Sequence, residues 1–221
     1  MSLPGQIQGA IPSFPGFDCD TTITASLAQK FFMQGYKFCL RYISRGMESD
    51  RDLSQQEAID ILNSGLALMP VQHVRSPGWS PDLNLGQQDG QDAILNAQAV
   101  GFPVGVNVWC DLEGVDRNSQ AQDVIDYCEA WFEAVNRAGY IPGIYVGAGA
   151  LLTSQQLHDF SFQHYWHSQS RVPDVPSRGY QMIQLFPSIQ MNGVAVDLDI
   201  VQDDEQGGQA QWLRVDTGSP D

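Results

Sequence analysis

Two acids stand two residues apart at the end of an apolar run: Asp111 and Glu113 in residues 103–114, PVGVNVWCDLEG. Val104, Val106 and Val108 make that run β-branched, and Gly101 and Pro103 bound it, as expected of a strand buried on both faces. Side chains alternate along a strand, so the two acids share a face, about 6.6 Å apart along the backbone at roughly 3.3 Å per residue. Charges in the middle of such a strand would be costly, which places the pair at its carboxyl end, where parallel α/β folds collect their ligands. Two further pairs repeat the spacing, Asp18 with Asp20 in GFDCDT and Asp197 with Asp199 in VAVDLDIV. Converging carboxyls suit acid catalysis, in which one carboxylic acid protonates a leaving oxygen while the others stabilise positive charge or orient the substrate. The same acids would also serve as caps and salt bridges at loop starts, as a solvated rim, or as oxygen ligands for a divalent cation. No histidine accompanies them at ligand spacing, so neither a catalytic metal nor a cofactor is expected.

Other constellations carry less chemistry. His73, His158, His164 and His167 have no GxSxG serine to serve, and the cysteines have no positioned partner. No phosphate-cradling glycine loop occurs, and Gly147-Ala148-Gly149 reads as the end of a strand. Trp79, Tyr145 and Trp166 fall at or after strand ends, where flat rings either stack on sugar faces or fill a core.

Composition narrows the partners. At 221 residues and 43% hydrophobic content the chain can bury one sizeable core. Its net charge of −15, from 11 basic and 26 acidic residues, opposes binding to nucleic acid. Residues 1–16 (MSLPGQIQGAIPSFPG) carry neither a basic region nor a long apolar stretch, and no later run reaches membrane-spanning length. The expectation is synthesis in the cytoplasm without a signal peptide, with no membrane insertion. Cys19, Cys39, Cys110 and Cys128 lack CxxC spacing and read as buried thiols, with pairing left open.

The elements that must position the acids alternate. Strands are expected at residues 16–21, 37–44, 66–74, 103–114 and 141–147. The helices between and after them fall at 26–34 (stopped by Gly35), from the capping box Ser54-Gln55-Gln56-Glu57 to about Gly65, at 87–100 (closed by Gly101), at 119–137, and at 154–160. Val124, Tyr127, Cys128, Trp131 and Val135 recur at helical spacing in the fourth of these. The alternation then stops. Residues 171–179 (RVPDVPSRG), between strands at 164–169 and 180–186, hold two prolines and a glycine and are too short for a helix. Asn192-Gly193 between MIQLFPSIQM and VAVDLDIV signals a hairpin, making the last two strands antiparallel. The result is an α/β fold, an irregular TIM-like barrel of five β/α units followed by three strands, its shortness against the usual ~250 residues agreeing with missing helices. Residues 1–221 read as a single domain with a core at about 16–202. The polar tail at 203–221, apart from Trp212 and Leu213, is expected to pack loosely.

On these residues the chain resembles the glycoside hydrolase family 25 lysozymes, the N-acetylmuramidases, and still more the related bacterial glycoside-hydrolase-like group of unknown function. GFDCD resembles the family's opening Gly-hydrophobe-Asp, DLE its fourth-strand Asp-x-Glu, and VDLD its closing strand, while Gln184 in YQMIQLF and Trp166 in HYWHSQS resemble its late strands. The resemblance implies that Asp18, Asp111, Glu113 and Asp197 are the four active-site acids, with Glu113 the proton donor and Asp111 or Asp197 orienting the substrate's own N-acetyl nucleophile. It also implies that Asp20, Tyr145, Trp166, Gln184, Asp199 and Trp79 contact the substrate. Asp20 stands where the lysozymes usually carry Ser, and Asp199 where they usually carry Asn. The implied activity is cleavage of peptidoglycan glycan strands between N-acetylmuramic acid and N-acetylglucosamine by a monomer; the alternative is a non-catalytic glycan-binding module on the same barrel. Made without a signal, such an enzyme would need phage-type release or a contact-dependent secretion machine, the latter with an immunity protein.

Overall fold

The computed structural model describes residues 2–46, 51–73 and 75–216. Met1, Val74 at the end of the expected third strand, and residues 217–221 of the expected tail lie outside the described residues. The strands are β1 (Gln6–Gly9), β2 (Pro15–Cys19), β3 (Phe38–Ile43), β4 (Ala67–Gln72), β5 (Asn107–Leu112), β6 (Ile141–Val146), β7 (His164–Ser168), β8 (Met182–Met191), β9 (Val194–Val201) and β10 (Gln211–Arg214). Eight of them close a barrel in the order β4-β3-β2-β9-β8-β7-β6-β5, with β5 returning to β4 through Val71–Trp109 and Gln72–Cys110. From β2 to β8 neighbouring strands are parallel; β9 is antiparallel to both β8 and β2. The hairpin that turns β8 into β9 has Asn192 and Gly193 at φ 53° and 90°, the two left-handed residues a type I′ turn requires.

Helices cover the outside: α1 (Ala25–Met33), α2 (Gln55–Asn63), α3 (Leu83–Val100), α4 (Ala121–Arg137) and the short α5 (Ser154–His158). The α4 stripe expected from spacing, Val124, Tyr127, Cys128, Trp131 and Val135, is the face it buries. α3 lies close against it, because a Cβ at Gly86 would stand 2.2 Å from the Tyr127 carbonyl oxygen. The expected capping box of α2 is half made. Ser54 accepts from the Glu57 amide at 3.2 Å, but the Glu57 carboxylate turns instead to Arg41 Nε and the Ile23 amide, each at 2.7 Å. Arg41 is fully buried, and an unpaired buried guanidinium costs more than an unmade cap.

Both chain ends depart from expectation. The leader supplies β1 and the tail supplies β10; the two pair antiparallel, and β10 also joins β4 at Leu68, below the point where β4 meets β5. Alternation sends Trp212 into the barrel among Phe38, Leu40 and Met69 and Leu213 into the outer core, each 1% exposed. The tail through Arg214 is therefore an integral strand rather than a loose extension. β5 is shorter than expected: Val104 lies outside it and is exposed beside Gly105, whose φ of 88° breaks the run. All four cysteines are buried and free.

The barrel interior is graded. Apolar side chains such as Phe38, Leu40, Ala67, Met69, Trp109, Met182 and Trp212 fill its lower and middle part. Following the same inward faces upward, two residues at a time, reaches Tyr42, Asp111, Tyr145 and Gln184. Polar groups thus collect where the parallel strands end, because there alone can water or a ligand satisfy them.

Candidate active site

The cleft at this end consists of two adjoining lobes of about 290 Å³ each, which share Tyr42, Asp111, Glu113, Ser188 and Asp197. One lobe continues to Asp18, Asp20 and His73, and the other to Tyr145, Ser168, Gln184 and Phe186. Strand register brings the acids together: Asp18 on β2 lies opposite Asp197 on β9, and Asp111 on β5 is beside Tyr145 on β6.

Asp18 is 1% exposed, and both its oxygens accept hydrogen bonds, Oδ1 from the Tyr42 hydroxyl at 3.2 Å and Oδ2 from Gln184 Nε2 at 2.8 Å. Tyr145 in turn donates to Gln184 Oε1 at 2.7 Å, which fixes the amide so that its NH₂ faces Asp18. Burial pushes the Asp18 carboxyl up to about 7, against the opposing Gln184 hydrogen bond. Asp111 is 7% exposed and its Oδ1 has no donor among the described residues. Burial, with the charges of Glu113 and Asp18 behind it, raises the Asp111 carboxyl well above the usual range.

Glu113 follows the last residue of β5 and is half-buried, its carboxyl raised by burial and by the Asp197 charge. Its backbone is braced from both sides. The Trp79 indole donates to the Glu113 carbonyl at 2.9 Å, the Gly114 amide to Ala148 at 3.0 Å, and the Gly147 amide to Leu112 at 2.9 Å. Gly147 also makes room for the side chain, since a Cβ there would lie 2.5 Å from Glu113 Cβ and 2.6 Å from its Oε2. Asp197 accepts from the Ser188 hydroxyl. Raised carboxyls crowded at the mouth of a closed barrel are groups that hold protons near neutral pH and can deliver one to a bound oxygen.

Three of the expected substrate contacts are placed elsewhere. Trp79 packs edge-on against Tyr127 with its indole nitrogen holding the Glu113 loop, and Trp166, 1% exposed, lies inside the barrel against Tyr145 and Trp109. Both support the site from behind. Asp199 was expected at the rim beside Asp197, but β9 runs downward, so residue 199 lies a layer deeper, opposite Gly16 and Gln184. Asp20, Tyr145 and Gln184 do line the cleft, Asp20 from its exposed edge. Sequence reasoning missed Tyr42, Ser188, His73 and Phe186. Tyr42 shares the inward alternation of Phe38 and Leu40, and Pro187 inside a strand signals the irregularity between Leu185 and Ile189 that holds Phe186 and Ser188 at the mouth.

None of the functionally curated proteins matches the sequence. Among solved structures, the Tat-secreted protein Rv2525c of Mycobacterium tuberculosis, in complex with L-tartrate, aligns with a TM-score of 0.64 at 16% identity, covering 90% of this chain and 100% of that one. A muramidase from Trichobolus zukalii aligns at 0.62 and 12% identity, covering 86% and 94%. The modular autolysin LytC of Streptococcus pneumoniae, in complex with a synthetic peptidoglycan ligand, aligns at 0.62 and 10% identity, covering 85% of this chain and 46% of that one. The fold is thus a glycoside hydrolase-like barrel of the muramidase kind. The first of these neighbours stands against the expectation of signal-free cytoplasmic synthesis and corrects it: Rv2525c is a Tat-secreted protein. The amino-terminal segment includes β1, which is part of the folded protein, so its composition says nothing of export, and the reason for a secretion machine and an immunity protein goes with it. Residues 29–201 match the model of the Rv2525c-like glycoside hydrolase-like domain, and the chain belongs to that family.

Proposed function

We propose that the protein is a peptidoglycan-directed glycoside hydrolase that cleaves between N-acetylmuramic acid and N-acetylglucosamine, with Glu113 as general acid. The observation that carries this reading is the position of Asp111 and Glu113 where the two lobes meet, with a buried Asp111 oxygen that no donor among the described residues reaches. A glycan laid across both lobes puts its scissile oxygen between two sugars at that junction. Glu113 gives its proton to that oxygen as the bond to the anomeric carbon breaks. The carbonyl oxygen of the neighbouring acetamide closes on the anomeric carbon, and the acetamide N–H is donated to the Asp111 carboxylate. That hydrogen bond favours the ionised form of Asp111 and leaves the proton of the pair on Glu113, where it is needed. Water then opens the cyclic intermediate while the Glu113 carboxylate takes its proton back. Asp197, next to Asp18 and charged toward Glu113, stabilises the positive charge that develops on the sugar ring.

Glu113→Gln keeps the shape of the side chain and removes the proton. Release of reducing ends from purified cell walls should fall on the order of 10²-fold or more, with wall binding in a pull-down retained. Hydrolysis by the variant near the parental rate would remove Glu113 from the role. Walls bound by the parental protein with no new reducing ends would replace the enzyme by a glycan-binding module.

A further inference from the structure

Beneath the cleft acids lies one that the proposed reaction does not use. Asp199 is 1% exposed, and its Oδ1 accepts from the Trp166 indole at 3.0 Å. Its Oδ2 is buried with no N–H or O–H donor among the described residues, and its carboxyl lies within hydrogen-bonding reach of the Asp18 carboxyl. Asp18 already uses both oxygens as acceptors, from Tyr42 and Gln184. Two carboxylates in contact, each able only to accept, repel one another in a space with little water to screen them; with one proton between them the contact becomes a strong hydrogen bond. The donors decide where that proton sits. Asp18, with two, is the better place for the charge, and Asp199, with an oxygen left over, is the better place for the proton.

We infer that Asp199 is a neutral carboxylic acid that donates its hydrogen bond to Asp18, so that the two buried side chains hold one proton and position the Asp18 carboxylate in the cleft. Asp199 is a positioning residue, since it does not line the cleft and reaches it through Asp18. The titratable groups around the pair are Asp197 on its own strand, Tyr42 on β3, Asp111 and Glu113 on and after β5, and Tyr145 on β6; Trp166 and Gln184, from β7 and β8, are neutral. None of these neighbours is a cation; His73, which shares the Asp18 lobe, is stacked on Tyr42 and paired with Asp52, and the Arg41 guanidinium, which reaches the Cys19 carbonyl beside Asp18, is already paired with Glu57, so little compensates a second negative charge, and burial raises both carboxyls of the pair. When the shared proton leaves at high pH, repulsion drives Asp18 from the place where Tyr42 and Gln184 hold it, and the site loses its geometry. The protonation follows from the contacts alone; its effect on hydrolysis rests on the muramidase reading.

The test separates the two. Carbon-13 NMR of aspartate-labelled parental protein, with carboxyls assigned by single Asp→Asn substitutions, should show the Asp199 carboxyl still protonated at neutral pH, and infrared spectroscopy should show its carboxylic-acid band beside any from Asp111 and Glu113. Asp199→Asn keeps a donor for Asp18 and an acceptor for Trp166, and should remove the Asp199 resonance and its share of the infrared band while leaving the other aspartates in place. On cell walls, the alkaline limit of hydrolysis should move up by about one pH unit or more in Asp199→Asn, whereas Asp199→Ala should lower hydrolysis at every pH. An Asp199 carboxyl that is ionised at neutral pH in the parental protein, or an Asp199→Asn spectrum that has lost no neutral-pH carboxylic-acid signal, overturns the inference. An alkaline limit that does not move in Asp199→Asn overturns the positioning role. A parental protein that shows the signal but no hydrolysis leaves the shared proton standing and fails the proposed function instead.

Discussion

Alanine at Gly147 should disable the proton donor without altering it. The new Cβ would stand 2.5 Å from Glu113 Cβ, 2.6 Å from Glu113 Oε2 and 2.9 Å from Tyr145 Cε1. Carbon atoms pack at about 3.5–4.0 Å, so Glu113 Cβ must retreat by about 1 Å. The carboxylate could swing aside cheaply, but Cβ moves only with its backbone, and that backbone is tied to Trp79, Ala148 and the Gly147 turn itself. Position 147 is not in the left-handed region, so alanine brings no backbone strain of its own and the fold should hold. Displacing a catalytic group by about 1 Å costs on the order of 10²-fold. Reducing-end release from purified walls should drop by that factor in Gly147→Ala, with wall binding and cooperative unfolding kept. Combined with Glu113→Gln it should cost little more than Glu113→Gln alone, because both changes remove the same proton transfer. Parental hydrolysis by Gly147→Ala, or losses that multiply in the double variant, would refute the reasoning.

Two further outcomes concern stability. Trp212→Ala empties a site between Phe38 and Phe14 at the closed end of the barrel and should cost about 3–5 kcal/mol in urea denaturation, whereas a loosely packed tail would lose under about 1. Burial raises Asp111 and Asp199 well above their ordinary 3.8, so above that pH the folded state binds more protons than the unfolded one. Their contribution is present at low pH and lost as pH rises through the folded values. Unfolding free energy should therefore fall as pH rises above the ordinary 3.8 toward the folded values, by at most about 1.4 kcal/mol per pH unit for each group, and less steeply in Asp199→Asn. A flat or rising profile in the parental protein would contradict these shifts.

Much of the architecture was legible because it is set locally. The α4 stripe, the Asn192-Gly193 turn and the prolines of residues 171–179 act within a few residues of themselves, and they dictated five β/α units followed by an irregular third. Alternation at strand ends likewise marked the pairs Asp18 and Asp20, Asp111 and Glu113, and Asp197 and Asp199 as acids that would meet, and the cleft gathers all of them but Asp199. What composition could not reveal was the pairing of the ends. β1 and β10 are four residues each, with a signal too short to separate from loop, and they become strands only because an edge of β4 is open to them.

The remaining differences share one cause. The i, i+2 spacing of Asp197 and Asp199 puts both on one face, but only the antiparallel course of β9 between β2 and β8 puts the second a layer down, against Asp18. Ser54-Gln55-Gln56-Glu57 is locally a capping box, but only the barrel brings Arg41 to Glu57 and takes its carboxylate away. Trp79 and Trp166 have the right type and place in the chain to stack on a sugar, yet packing turns one to the Glu113 carbonyl and the other to Asp199. Residue type and spacing determined which groups were available and which face each would take. Depth and partner depended on strand direction and closure, which are properties of contacts between residues far apart in the chain, where the electrostatic cost of burying a charge is settled.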